Sequence, residues 1–238
     1  MSEHGEQLNF KANGHDKKVV DGVRLLDDIV AYYRKYVRLR QDEYDVMAPW
    51  VLHCHAFLAF SRTPYLSVSS PSPECGKTQL LEVTELLVPN PWLTMSVTNA
   101  VLGRKIDQSH PVLMLDEIDN LLAGDKELLA ATKATVNSGY KKSGSRSILE
   151  PIKGGGWVCK NLSTFCPKIL SGISGLPEAT KSRCIPIEME RMLPGDRVHD
   201  LDEYIHCETC VPAMCSRGWK RFPKRIGPRH RTSCGMNP

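Results

Sequence analysis

The chain contains no long apolar run. The uncharged, largely apolar stretch Val46–Ser61 carries two histidines and a proline and falls short of the roughly 20 apolar residues that a membrane-spanning helix needs. A membrane partner is therefore not expected. The opening residues Met1–Lys18 are polar and lack the apolar centre of a secretory leader; they read as a disordered N-terminus, residues 1–18. Aromatic residues are sparse, at 7%. The nine cysteines are odd in number and follow no small-domain disulfide spacing, which points to a reduced, cytoplasmic protein. No internal repeat is visible, so repeat architectures are excluded.

Nor does the chain carry an overall excess of one charge, although the formal value of +4 suggests a mild one. Ser216–Pro238 holds seven Lys/Arg and no Asp or Glu, and without it 24 basic residues face 27 acidic ones. The body is thus not a basic nucleic-acid binder as a whole, and any such contact must come from a local patch.

What is present is an alternation of periods. Apolar residues at helical spacing predict a helix over 19–36 and a second over 42–60, interrupted or kinked near Pro49. Together they form a helical N-terminal portion, residues 19–62. The period then changes. Tyr65–Ser70 reads as a strand, followed by a helix over 77–87, an extended segment near Leu93 and a helix over 98–106. Val112–Leu115 is an apolar strand, a helical region follows to about Val136, and Ser138–Ser145 reads as a Gly/Ser/Lys loop. Two short strands at 168–170 and 185–187 flank a turn and a short helix. Strands alternating with helices predict a three-layer α/β fold around a parallel sheet, with its core at 63–195.

The strand at Tyr65–Ser70 leads into Pro71-Ser72-Pro73-Glu74-Cys75-Gly76-Lys77-Thr78. In a phosphate-binding loop of the form Gly-x4-Gly-Lys-[Ser/Thr], backbone N–H groups at a helix start wrap phosphate oxygens. The Lys reaches the terminal phosphates, and the hydroxyl ligates Mg²⁺. Here Pro71 replaces the first glycine and Pro73 removes another donor, leaving the N–H groups of Glu74, Cys75, Gly76, Lys77 and Thr78. A chance Gly-Lys-Thr in a loop is the competing reading. The strand before it and the helix after it favour a site for ATP and Mg²⁺, that is, a P-loop NTPase fold.

A second element fits independently. Val112-Leu113-Met114-Leu115-Asp116-Glu117 is an apolar strand ending in two carboxylates. Asp116 is the candidate that orders the metal beside Thr78, and Glu117 the candidate that polarises attacking water. An adjacent Glu favours ATP hydrolysis over a GTPase-type site. Arg183, after the short helix, is either a surface arginine or a residue acting on the γ-phosphate of a neighbouring copy in a homo-oligomer. Ser171 and Ser174 are candidate polar sensors of that phosphate.

These residues match a known pattern. The stretches Thr63-Pro64-Tyr65-Leu66, Ser70-Pro71, Cys75-Gly76-Lys77-Thr78 and Leu80-Leu81-Glu82-Val83 carry the likeness. It continues through Leu115-Asp116-Glu117, Asn137-Ser138-Gly139-Tyr140, Phe165-Cys166-Pro167-Lys168, Leu176-Pro177 and Ser182-Arg183. Over about Leu25–Val198 the chain resembles an uncharacterised P-loop domain family of actinobacterial, phage and mobile-element proteins, often fused or adjacent to primase-like modules. In that family Pro71 looks like the usual residue. The resemblance implies an AAA-type or helicase-like ATPase, and with it a DNA-linked replication motor of a phage or mobile element. The alternative is a nucleotide-binding module or truncated remnant without turnover, because the match stops near Pro194-Gly195, before the helices that would help close the site.

The remainder, 196–238, reads as an irregular basic tail, truncated or out of frame. His206, Cys207, Cys210, Cys215, His230 and Cys234 within it fit no standard zinc framework and are read as incidental. His53 and His55 point to different sides of a helix and are read as packing residues. Lys141, Lys142 and Arg146 mark a loop that can face DNA, or that is simply solvated, and the basic tail would bind any polyanion weakly.

Overall fold

The structure, a computed structural model, describes residues 21–72, 74–118, 126–172, 176–192, 198–199 and 201, with the side chains of 126–131 set aside. Ser174, the expected disordered start and the tail beyond 201, with its cysteines and histidines, lie outside these residues.

Helix α1 (Gly22–Tyr36) starts where the Asp21 carboxylate accepts the Val23 and Arg24 N–H groups at 3.1 and 3.3 Å. It buries Leu25, Ile29, Tyr33 and Tyr36, one stripe at helical spacing. Helix α2 (Gln41–Ala56) follows and runs through Pro49 without ending, closing in a 3-10 turn at Phe57–Ala59. The interruption expected near Pro49 is not seen. A mid-helix proline costs about 3 kcal/mol. That is outweighed where Tyr44, Met47, Ala48, Trp50, Val51 and Cys54 are all buried, since each large apolar side chain is worth about 1.5–3 kcal/mol. His53 bonds Thr63 Oγ1 at 3.0 Å and His55 bonds the Leu87 carbonyl at 2.9 Å, so both serve packing, on different neighbours.

Five strands form one parallel sheet: β1 (Tyr65–Ser69), β2 (Pro91–Thr94), β3 (Val112–Leu115), β6 (Lys168–Gly172) and β7 (Cys184–Glu188). Their spatial order is β2-β3-β6-β1-β7. Between them run α3 (Lys77–Glu85), α4 (Asn99–Ser109), α5 (Lys126–Ser138) and α6 (Glu178–Lys181). The two-residue side-chain period divides the strands between two cores. Leu66, Val68, Val112, Met114, Ile169 and Ile187 pack with α1, α2 and α3, whereas Tyr65, Leu113, Leu115 and Leu170 pack with α4 and α5. Helices on both faces of a parallel sheet are compatible with a three-layer α/β fold. The two N-terminal helices share the sheet's core and are not a separate unit. Leu201 joins that core and the His199 N–H donates to the Lys35 carbonyl at 2.9 Å.

One element was not expected from sequence. β4 (Ser145–Pro151) and β5 (Trp157–Ser163) form an antiparallel hairpin outside the main sheet. It turns at Gly154–Gly156, all three with φ between 95° and 106°. Its inner face rests on α4: Leu162 is buried against Gly103, and Glu150 pairs with Arg104 at 3.5 Å. The outer face leaves Leu149 and Trp157 about two-thirds exposed.

At the N-terminal ends of the strands sits a fully buried lysine. Lys168 Nζ donates to Tyr65 Oη at 3.1 Å and to the carbonyls of Thr164 and Cys166 at 3.1 and 3.0 Å. Burial lowers its pKa from the ordinary lysine value, but three acceptors satisfy its three protons. Gly139 makes room for this cluster. A Cβ there would lie 2.1 Å from the Thr164 carbonyl oxygen and 2.4 Å from Lys168 Nζ. Gly139→Ala is therefore expected to destabilise the protein by about 1–3 kcal/mol or more, the usual cost of overpacking, read as a fall in the calorimetric melting temperature. An unchanged melting temperature would contradict this packing.

Candidate functional site

The chain leaves β1 for the far edge strand β2, then steps back through β3 and β6 and past β1 to β7. Connections from β1 and from its neighbour β6 thus depart in opposite directions. In open α/β sheets such a switch point opens a crevice at the carboxyl ends of the strands. β1, β3 and β6 each deliver polar residues to that end.

After β1 the backbone makes a compact loop. Pro71 can donate no N–H, and the loop's internal bonds come from serine hydroxyls instead. Ser70 Oγ donates to the Ser72 carbonyl at 2.6 Å, and Ser72 Oγ pairs with Cys75 Sγ at 3.2 Å. Glu74 and Gly76 take left-handed backbone angles, φ 61° and 79°. For Glu74 this conformation costs about 1–2 kcal/mol, and such strain concentrates at functional sites. For Gly76 it is free. Gly76 is the N-cap of α3 and offers no side-chain cap, in contrast to Asp21 on α1 and Thr98 on α4. The first N–H groups of α3 are left for another acceptor.

The expected residues converge on this end of the sheet. Thr78 Oγ1, on the first turn of α3, donates to Asp116 Oδ2 at 2.9 Å across 38 residues of sequence. Ser171 Oγ, from β6, donates to Asp116 Oδ1 at 2.9 Å, and the Glu117 N–H donates to the same oxygen at 3.0 Å. Asp116 is 3% exposed and Ser171 fully buried. Glu117 lies exposed beside them with φ 52°, again left-handed. Lys77 Nζ donates to Ser70 Oγ. That partnership was not foreseen, because Ser70 sits one residue before the loop motif and nothing in its neighbours marks it.

The donor set is hard oxygen: one hydroxyl and one carboxylate in contact, a second hydroxyl behind, and a helix start without a side-chain cap beside them. Hydroxyl and carboxylate suit Mg²⁺, and helix N–H groups with a lysine suit phosphate. The residues present therefore fit Mg²⁺ and a polyphosphate. No cluster of three or more His, Cys, Asp or Glu at metal-ligand spacing exists among the described residues. No described helix is long and apolar enough to cross a membrane.

Other candidate residues fall elsewhere. Arg183 precedes β7 and so lies at the N-terminal end of the sheet, its carbonyl accepting the Tyr65 N–H at 3.1 Å. A five-residue strand, roughly 16 Å long, separates that end from the loop, so Arg183 does not belong to the site of its own chain. Lys141, Lys142 and Arg146 do not make one surface. Arg146 lies on β4, where its guanidinium bonds Asn99 Oδ1, and Lys142 Nζ donates to the Leu58 carbonyl at 2.6 Å. Comparison with protein-family models matches no family, and comparison with curated proteins returns no match.

Two outcomes follow from this geometry. Asp116→Ala removes the acceptor of three donors, one of them fully buried, and is expected to cost about 1–3 kcal/mol. Denaturant unfolding measures it, and stability equal to the parent would show that the carboxylate is not the anchor. The Cys75 thiol is held below its ordinary pKa by the Ser72 hydrogen bond, opposed by desolvation and helped by Ser70 and the Lys77 charge. Its alkylation, followed by peptide mapping, should rise at lower pH than that of an ordinary thiol, because thiolate forms earlier. Ser72→Ala should move the profile back up; the same profile in both proteins would remove Ser72 as the cause.

Proposed function

We propose that the crevice binds Mg-ATP and that the protein is an ATP hydrolase of the P-loop kind. The observation that carries this reading is the contact of Thr78, Asp116 and Ser171, brought together from three segments beside an uncapped helix start. Two sequence motifs 38 residues apart meet at one point.

In this reading the N–H groups from Glu74 to Thr78 and the Lys77 ammonium bind the β- and γ-phosphates. Lys77, which donates to the Ser70 hydroxyl, leaves it to do so. Thr78 and Asp116 would hold Mg²⁺, which when bound offsets phosphate charge. Ser171 fixes the second oxygen of Asp116 and so its orientation. Glu117, exposed at the rim, accepts a proton from water attacking the γ-phosphate. Arg183 could act only on the nucleotide of a second copy, as its place at the other end of the sheet requires. A role as a DNA-linked motor is the biological extension of this proposal, through the helicase-like resemblance.

Two variants test the chemistry. Lys77→Ala removes the cradle's one side-chain cation, a charged hydrogen bond worth about 1.5–3 kcal/mol. Mg-ATP affinity by calorimetric titration is then expected to fall about 10- to 150-fold at 1.4 kcal/mol per decade. Glu117→Gln keeps the shape and loses the base, so it should bind Mg-ATP as the parent does and hydrolyse it about 10²–10⁴ times more slowly. A parent protein that fails to bind Mg-ATP would overturn the proposal. A parent that binds without turnover would leave a nucleotide-binding module.

A further inference from the structure

The N-terminal end of the sheet holds a second concentration of charge, remote from the candidate nucleotide crevice. Three cations surround the ring of Tyr140. The Arg183 guanidinium lies 4.8 Å from the ring centroid, Lys141 Nζ 5.3 Å and the Arg62 guanidinium 6.0 Å. They come from three separate segments that the backbone ties together. The Thr63 N–H donates to the Tyr140 carbonyl at 2.9 Å, the Lys142 N–H to the Ser61 carbonyl at 3.0 Å, and the Tyr65 N–H to the Arg183 carbonyl at 3.1 Å. Arg62 and Lys141 form an isolated antiparallel bridge.

Nothing described compensates the charge. None of the ion pairs among the described residues includes Arg62, Lys141 or Arg183. Arg183 Nε is buried and has no hydrogen-bond partner. A buried, unpaired guanidinium N–H is costly, and three cations around one ring repel one another. Cation–π attraction returns only about 0.5–1 kcal/mol each at exposed sites. The Tyr140 phenol responds to the field: a hydrogen bond to Lys141 lowers its pKa most, desolvation opposes it next, and the charges of Lys141, Arg183 and Arg62 add smaller lowering effects. Arg62 and Lys141 are exposed, and Tyr140 and Arg183 half-buried, so the cluster is open to a ligand.

We propose that Arg62, Tyr140, Lys141 and Arg183 form a preorganised binding site for a phosphate group. Two guanidiniums supply planar forks of donors suited to phosphate oxygens, and Lys141 adds a point charge. The phosphate comes either from the phosphodiester backbone of a single strand or from the terminal phosphates of a nucleotide. The site needs neither Lys77 nor Asp116, and only Arg183 is shared with the ATPase reading.

The test uses the full-length chain carrying ¹³C-labelled tyrosine, with the Tyr140 resonance assigned by its loss in Tyr140→Phe. Sodium pyrophosphate and a twelve-residue oligothymidylate are titrated separately. A saturating shift of the Tyr140 signal is expected. If the oligonucleotide produces it, the source is a phosphodiester backbone; if pyrophosphate alone does, the source is a terminal phosphate. The double variant Arg62→Gln/Lys141→Gln, which keeps side-chain length at exposed positions, should bind the effective probe at least tenfold more weakly. For the oligonucleotide, the slope of log affinity against log salt should fall by about 1.4, at roughly 0.7 per cation on a single strand. Lys142→Gln should stay within twofold of the parent. A Tyr140 signal that neither probe moves would overturn the proposal, as would a double variant that binds like the parent.

Discussion

Asp116 is where the architecture converges, because one buried carboxylate accepts from three parts of the chain: the start of α3, the end of β6 and its own following peptide. A carboxylate held at 3% exposure is tolerable only when its lone pairs are used. The parallel register makes that possible. Leu115 lies beside Leu170 and Val68 beside Ser171, so Asp116, which follows β3, arrives level with Ser171, and the loop after β1 starts two residues beyond it. A slip of one residue in β6 would turn Ser171 to the other face and present an apolar neighbour to Asp116. Core packing and site geometry are in this sense one constraint, since the same two-residue alternation that buries Ile169 aims Ser171.

The loop after β1 shows how a backbone can change its donors and keep its shape. Proline at 71 deletes an N–H, and hydroxyls at Ser70 and Ser72 take over the internal bonds. The turn is then finished by left-handed angles at Glu74 and Gly76. Gly76 pays nothing for this and Glu74 does, as does Glu117 across the crevice at φ 52°. Four non-glycine residues among those described have positive φ, and two of them border this crevice. Of the others, Asn90 sits in a bend and His110 is the left-handed C-cap of α4, places and residue types that accept such angles. Strain in a glutamate has no such local excuse, which is why it marks the crevice rather than the turns.

How much was legible follows from how each element is specified. The strand Val112–Leu115 was readable as an apolar run and Tyr65–Ser69 from its alternation of large apolar with small polar residues; the last strand was readable over 185–187. So was α3, because a Gly-Lys-Thr start fixes its first residue. Pairing of Thr78 with Asp116 was readable because the proposed Mg-nucleotide chemistry calls for both. The β4–β5 hairpin was not. Its outer face is mostly uncovered, so Leu149 and Trp157 lack the burial that normally makes alternation visible in a sequence. Nor could spacing reveal that Arg62, Lys141 and Arg183, spread over more than 120 residues, share one ring. Pro49 misled in the other direction: the local rule for proline is sound, but six buried neighbours on α2 outweigh it.

The two ends of the sheet solve opposite electrostatic problems with the same strands. At the carboxyl ends an acid is buried and surrounded by hydroxyls, so it stays poised without a fixed counter-charge. At the amino ends a lysine is buried instead, and its three protons all go to oxygens, two of them carbonyls of the segment leading into β6. Lys168 therefore closes its own account, whereas the three cations around Tyr140, a few residues away in the fold, do not. The contrast matters because both clusters share the Tyr65 segment: Tyr65 Oη accepts from Lys168 and donates to the Val136 carbonyl at 2.7 Å, while its N–H goes to Arg183. Net charge alone would hide all of this, since residues 1–215 carry more acid than base. Local backbone pairing, not composition, decides where positive charge accumulates. A fold that satisfies one buried cation completely and holds three others together without an ion pair among the described residues has separated a structural use of charge from one that faces outward.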